Sequence, residues 1–182
     1  MQRFKLEFRR YLVIPVAAAV AIVMGAATSF AGAAYSCKIT GYQTSPPIFT
    51  SGTGKANAQI KDSQTSLSYK MSYSGLTSDV IQAHIHFGQV GVNGGIIVYL
   101  CDNTGTAPSG TPACPNSGDV SGSVTAVDVN PPNNPAPVND QGISAGDFSA
   151  LVGALKSGTG YINVHTVDYP NGEIRCQLKP AS

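Results

Sequence analysis

Ser66 to Gly75 reads SLSYKMSYSG, and its alternation decides the fold class. Leu67, Tyr69, Met71 and Tyr73 fall on one face of an extended chain, with Ser68, Lys70 and Ser72 on the other. This is the period-two pattern of a half-buried strand. The stretches around it repeat the pattern. VIQAHIHFG (80–88) puts Ile81, Ala83, Ile85 and Phe87 on an apolar face, and GGIIVYLC (94–101) is apolar on both faces, as a doubly covered strand would be. DVSGSVTAVDV (119–129), GYINVHTV (160–167) and GEIRCQLK (172–179) supply further strands between clusters of Gly, Pro, Asn and Ser.

One segment departs from the pattern. In SAGDFSALVGALKSG (144–158), Phe148, Leu151, Val152 and Leu155 recur at helical spacing. Ser144 with Asp147 resembles a capping box, and Gly158 suits a left-handed cap. One amphipathic helix of about three turns is expected here, laid over the end of a sheet. NPPNNPAPVND (130–140) is expected to be an irregular loop. The predicted architecture is mainly β: a Greek-key-like β-sandwich or partly open barrel with one amphipathic helix.

The N-terminus differs in kind. MQRFKLEFRR carries Arg3, Lys5, Arg9 and Arg10, a long uncharged apolar run follows, and Ala31-Gly32-Ala33 supplies small residues for cleavage. Residues 1–33 therefore read as a signal peptide and 34–182 as one domain, secreted to the periplasm or the cell exterior. The alternative is an uncleaved anchor, since Leu12 to Ala34 approaches the ~20 residues of a membrane span. Arg9-Arg10 also hints at twin-arginine export. The chain has 11 Lys+Arg and 10 Asp+Glu; without the leader's four basic residues and Glu7, seven stand against nine, a net charge of −2. No basic patch exists, so nucleic acid is not an expected partner. A membrane is expected only if the leader is retained.

Cys37, Cys101, Cys114 and Cys176 all lie beyond the leader. An even count in an exported chain reads as two disulfides, with three possible connectivities. Cys37 shares a strand face with Ile39, and Cys176 shares one with Ile174 and Leu178, so both point toward the core. Cys101 and Cys114 bracket the turn-rich DNTGTAPSGTPA. The predicted pairs are Cys37–Cys176 and Cys101–Cys114. No Cys-x-x-Cys pair supports a metal-thiolate site.

All three histidines fall on the polar faces of their strands: His84 and His86 beside Gln82, and His165 beside Tyr161 and Asn163. The plainest expectation is a hydrated sheet face, or a hydrogen-bonding set that fixes neighbouring loops. The alternative is a site of three nitrogen ligands, suited to copper or zinc, formed if the two strands are neighbours. Asp168 would then be a fourth ligand or a partner to one, and Tyr169 a shield. No Gly-x-Ser-x-Gly elbow is present, and no serine has a histidine at a suggestive spacing. Glu173, near Arg175, reads as one member of an exposed strand pair rather than a general acid. The Tyr-rich face of SLSYKMSY reads as core. A non-enzymatic role is favoured, with a hydrolase or oxidoreductase built on the same ion as the last alternative, and the one candidate cofactor is copper or zinc.

These pieces together resemble the CHRD domain, the module repeated in chordin and found singly in many bacterial exported proteins. The resemblance runs through GYQTSPPIFTSGTGKA (41–56), the Ala-His-Ile-His core of residues 67–100, and GDFSALVGALKSGTGYINVHTVDYPNGEIRCQL (146–178). It departs from the usual pattern at Thr44-Ser45, at Phe87-Gly88 and at Arg175-Cys176-Gln177. The last change accompanies Cys37, which supports the Cys37–Cys176 staple as a local elaboration. The resemblance implies that Asn163, Glu173 and Arg175, with the histidines, organise the fold and one polar surface. It implies an extracellular module whose partner is an unknown protein or envelope component. Growth-factor binding, the chordin activity, is not carried over, because no site for it is identified. AHIHFG also resembles the His-x-His strand of copper/zinc superoxide dismutase. Only His84 and His86 match it, and no dismutase activity is predicted.

Overall fold

The computed structural model describes residues 32–61 and 63–181. The leader expected over residues 1–33 lies almost wholly outside them. Among the described residues, no helix is long and apolar enough to cross a membrane.

Nine strands form one antiparallel sheet: β1 (Ala34–Thr40), β2 (Thr53–Ile60), β3 (Ser66–Ser74), β4 (Val80–Phe87), β5 (Ile96–Asp102), β6 (Gly118–Thr125), β7 (Gly160–Thr166), β8 (Ile174–Gln177) and β9 (Lys179–Pro180). The order is β5-β4-β7-β8-β1-β2-β3-β6, with β9 on β1. The sheet curls until its two edges, β5 and β6, nearly meet. Tyr69 Oη crosses that seam and donates to Leu100 O at 2.6 Å, and Tyr73 Oη donates to Pro115 O at 2.7 Å. Gly122 is needed there, because a side chain would run into the Tyr69 ring. The partly open barrel with one helix is therefore what forms.

Alternation fills the interior as expected. Leu67, Tyr69, Met71 and Tyr73 all point inward from β3, and Ala83 and Ile85 from β4, into a core shared with Ile39, Leu100, Ile162 and Val164. Burying each large side chain contributes roughly 1.5–3 kcal/mol before the entropy of ordering is counted. Both disulfides join the predicted pairs: Cys37–Cys176 ties β1 to β8, and Cys101–Cys114 closes the loop after β5.

The helix α1 spans Phe148–Lys156, about half a turn shorter than predicted. Its cap is Asp147, whose side chain accepts from Ala150 N at 3.0 Å. Ser144 is instead part of a turn, its carbonyl accepting from Asp147 N, because Gly146 at φ 80° ends any helical path back to it. Gly158 takes the left-handed conformation expected after the helix, at φ 72°. Phe148, Leu151, Val152 and Leu155 seal the core.

Candidate metal centre

The outer face of β5-β4-β7-β8 holds the polar residues, and it is largely covered. Three segments fold back over it: the turn after β4, the proline-rich loop of residues 130–140, and the turn after β7. Ile96 N donates to Ala136 O, and Asn134 Nδ2 donates to Ile96 O at 2.7 Å, which lays the proline-rich loop along β5. His84, His86 and His165 are consequently only 1, 6 and 8% exposed, which corrects the expectation of a solvent-facing set.

Adjacent strands bring the histidines together. β4 pairs antiparallel with β7, so His84 stands opposite Asn163, with Gln82 opposite His165 and His86 opposite Tyr161. Each of the three rings offers a nitrogen within 4.8 Å of the others. His84 Nδ1 lies 3.1 Å from His165 Nε2.

Hydrogen bonding fixes the tautomers. His86 Nδ1 lies 3.0 Å from Gly94 O and His165 Nδ1 lies 2.9 Å from Pro170 O. A carbonyl only accepts, so each Nδ1 carries the proton and each Nε2 a free lone pair. His165 Nε2 then accepts from His84 Nδ1, which leaves His84 Nε2 bare as well. His84 Nε2, His86 Nε2 and Asn163 Oδ1 are buried without any protein partner. All three are lone pairs, so the site is rich in acceptors and short of donors.

Electrostatics agree with neutral rings. Burial, then the nearness of His165 and His86, holds His84 well below the usual imidazole range. Burial foremost, then His165 and the Arg175 guanidinium, brings His86 down to about 3. Burial also lowers His165. Neutral imidazole is the form that binds metals, and a backbone carbonyl on the far nitrogen is the usual orienting contact of a ligating histidine. With the His84 proton moved to Nε2, His84 Nδ1 and His165 Nε2, 3.1 Å apart, would stand close to the about 3.3 Å edge of a tetrahedron with ~2.0 Å metal–nitrogen bonds.

The rings open into a cleft of about 460 Å³, lined also by Ser45, Pro46, Gln82, Asn93, Asn163 and Asn171. Asn163 Nδ2 donates to Asn171 O at 3.0 Å, and Gly172, at φ 106°, leaves no space for a side chain against the amide. Asp168 and Tyr169 are absent from the lining. Asp168 is exposed, and from this turn it is Pro170 and Asn171 that line the cleft.

Glu173 and Arg175 are not an exposed pair; they are 0 and 1% exposed and serve different surroundings. Glu173 accepts from Thr50 Oγ1 at 2.6 Å, from Thr77 N and Oγ1, and from Thr166 Oγ1 at 2.9 Å. Arg175 lies over the Tyr161 ring, 3.6 Å from its centroid, and His86 stacks on Tyr161 at 4.9 Å and 9°. Its guanidinium donates to Gln89 O and Val92 O at 2.9 and 3.0 Å, so Arg175 anchors the turn whose Gly94 carbonyl aims His86.

Sequence reasoning missed the orienting carbonyls of Gly94 and Pro170, and the Arg175–Tyr161–His86 stack. A signal existed in the turn chemistry. Each histidine strand runs into glycine-bearing turns, NGG at 93–95 and PNG at 170–172, which fold the chain back over its own outer face.

A comparison with protein-family models matches the CHRD domain over residues 35–178. No curated protein matches the chain, and no solved structure does. The chain belongs to the CHRD domain family.

Proposed function

We propose that this CHRD-domain protein is an exported module that holds one copper or zinc ion on His84, His86 and His165. One observation carries the reading: three buried neutral imidazoles meet in an open cleft, with two of their far nitrogens spent on backbone carbonyls and two near lone pairs unpartnered. A ring set meant only to brace loops would satisfy those lone pairs, since an unpaired buried polar atom costs ~1–3 kcal/mol. An ion accepts all of them at once. Two disulfides and the family fit an extracellular or secreted protein, which supports a setting at the cell envelope or outside the cell.

The test is metal content and titration of protein folded with its disulfides intact. Wild type is expected to take up one copper or zinc ion per chain, and His84→Ala/His86→Ala to lose that uptake while keeping its fold. No binding by wild type at micromolar ion would sink the reading.

A second reading rests on a separate observation. Tyr42 and Phe49 are 67 and 90% exposed, on a loop joined to the turn carrying Val90 and Val92 through Ser45 Oγ to Gly91 O at 2.8 Å. This apolar rim beside the cleft fits a module that also meets a protein or envelope component. Pull-down with Phe49→Ser, compared with wild type, checks it.

A further inference from the structure

What surrounds the three histidines selects the charge of the ion they would hold. No carboxylate lines the cleft among the described residues. The walls are imidazoles, amides, a phenol ring and backbone. Three acidic groups come near in the chain; Asp168 is exposed and absent from the lining, and the other two are committed elsewhere. Glu173 is enclosed by the hydroxyls of Thr50, Thr77 and Thr166. Asp102 accepts from Gln82 Nε2, but also from Thr104 N and Oγ1, Thr106 N and Ala107 N on its own loop.

The charged group in the stack behind the site is a cation. Arg175 is buried against Tyr161, with His86 stacked on the same ring. Its recorded partners are the carbonyls of Gln89 and Val92 and the amide oxygen of Asn93, all uncharged. Among the described residues the one salt bridge is Lys70–Asp119, on an exposed stretch of β3 and β6. An ion bound on these buried rings therefore meets neutral donors and a positive charge already in place.

Burying an ion costs free energy that grows with the square of its charge, and repulsion from a guanidinium grows in proportion to it. A divalent ion is disfavoured on both counts, and nothing anionic at the site offsets it. Among transition metals that accept imidazole, copper has a stable singly charged state. We propose that the His84/His86/His165 site is built for copper in its cuprous form, and that Arg175, through Tyr161 and His86, biases bound copper toward that form. The inference rests on the metal-binding reading above and specifies its ion.

The experiment is a set of competition titrations on the full chain with disulfides intact. Cu(I) is generated with ascorbate under anaerobic conditions and competed against a chromophoric cuprous chelator; Cu(II) and Zn(II) are competed against their own chelators. Cu(I) is expected to bind at least 100-fold more tightly than Zn(II) or Cu(II). In Arg175→Met the ratio of Cu(I) to Cu(II) affinity is expected to fall about tenfold, a drop of about 59 mV in midpoint potential for one electron. Arg175→Lys should lose less. Should Arg175→Met fail to fold, the wild-type affinity order decides alone. Tighter binding of Zn(II) or Cu(II) than of Cu(I) overturns this inference and leaves the metal-binding reading standing. Failure of all three ions to bind overturns both.

Discussion

Each imidazole of the cleft has one nitrogen tied down and one left bare, and that asymmetry has a thermodynamic consequence. In an unfolded chain these rings titrate near pH 6.5. In the fold, burial holds all three below that value, His86 at about 3. As pH falls the unfolded state therefore binds protons first. Stability is full above about pH 6.5 and is lost as pH drops toward 3, by at most ~1.4 kcal/mol per pH unit for each histidine. Urea midpoints of metal-free protein at pH 7 and pH 5 should differ accordingly, and His86→Phe should flatten the difference. A second expectation concerns Glu173: replacing it by Ala strands buried donors from Thr50, Thr77 and Thr166 and should cost about 3 kcal/mol in chemical denaturation, with Gln milder. At this scale the sequence told which side of a strand each residue takes. His84, His86 and His165 share a face as read. It did not tell that the face is roofed, because polarity along a strand records the side and not what lies over it. Glu173 and Arg175 were misread for that reason.

At the scale of elements, strands were legible and their ends less so. β3 and β5 carry the predicted faces, and α1 carries the predicted stripe, yet its start moved from Ser144 to Asp147 because the glycine at 146 turns the chain. Asp147→Ala should cost ~1 kcal/mol of stability through the lost cap. The disulfides separate more sharply. Cys37–Cys176 spans 139 residues and Cys101–Cys114 spans 13, so loop entropy assigns them about 5 and about 3 kcal/mol. The double variant Cys37→Ser/Cys176→Ser is expected to melt at a lower temperature than Cys101→Ser/Cys114→Ser. Equal melting temperatures would contradict the entropic account. Both pairings were readable because the facing of Cys37 and Cys176, and the turn-rich loop between the other two, are local properties of the chain.

Across the whole molecule, the β class and the single helix followed from periodicity, while the juxtaposition that matters depends on strand order. β4 and β7 lie 80 residues apart at their first residues, Val80 and Gly160 being separated by β5, β6 and α1, and their pairing sets His84, His86 and His165 together. Nothing in either strand announces that partner; the barrel's closure does. The same closure leaves one outer face free for the three segments that fold over it, which turns a polar sheet surface into a cleft with buried rings. The central claim is that this cleft holds an ion through all three rings. X-ray absorption at the metal edge of copper- or zinc-loaded protein tests it most directly. The account predicts three nitrogen donors at about 2.0 Å with the multiple-scattering signature of imidazole, lost in His84→Ala/His86→Ala. A spectrum of oxygen donors alone, or one unchanged in that variant, would contradict it.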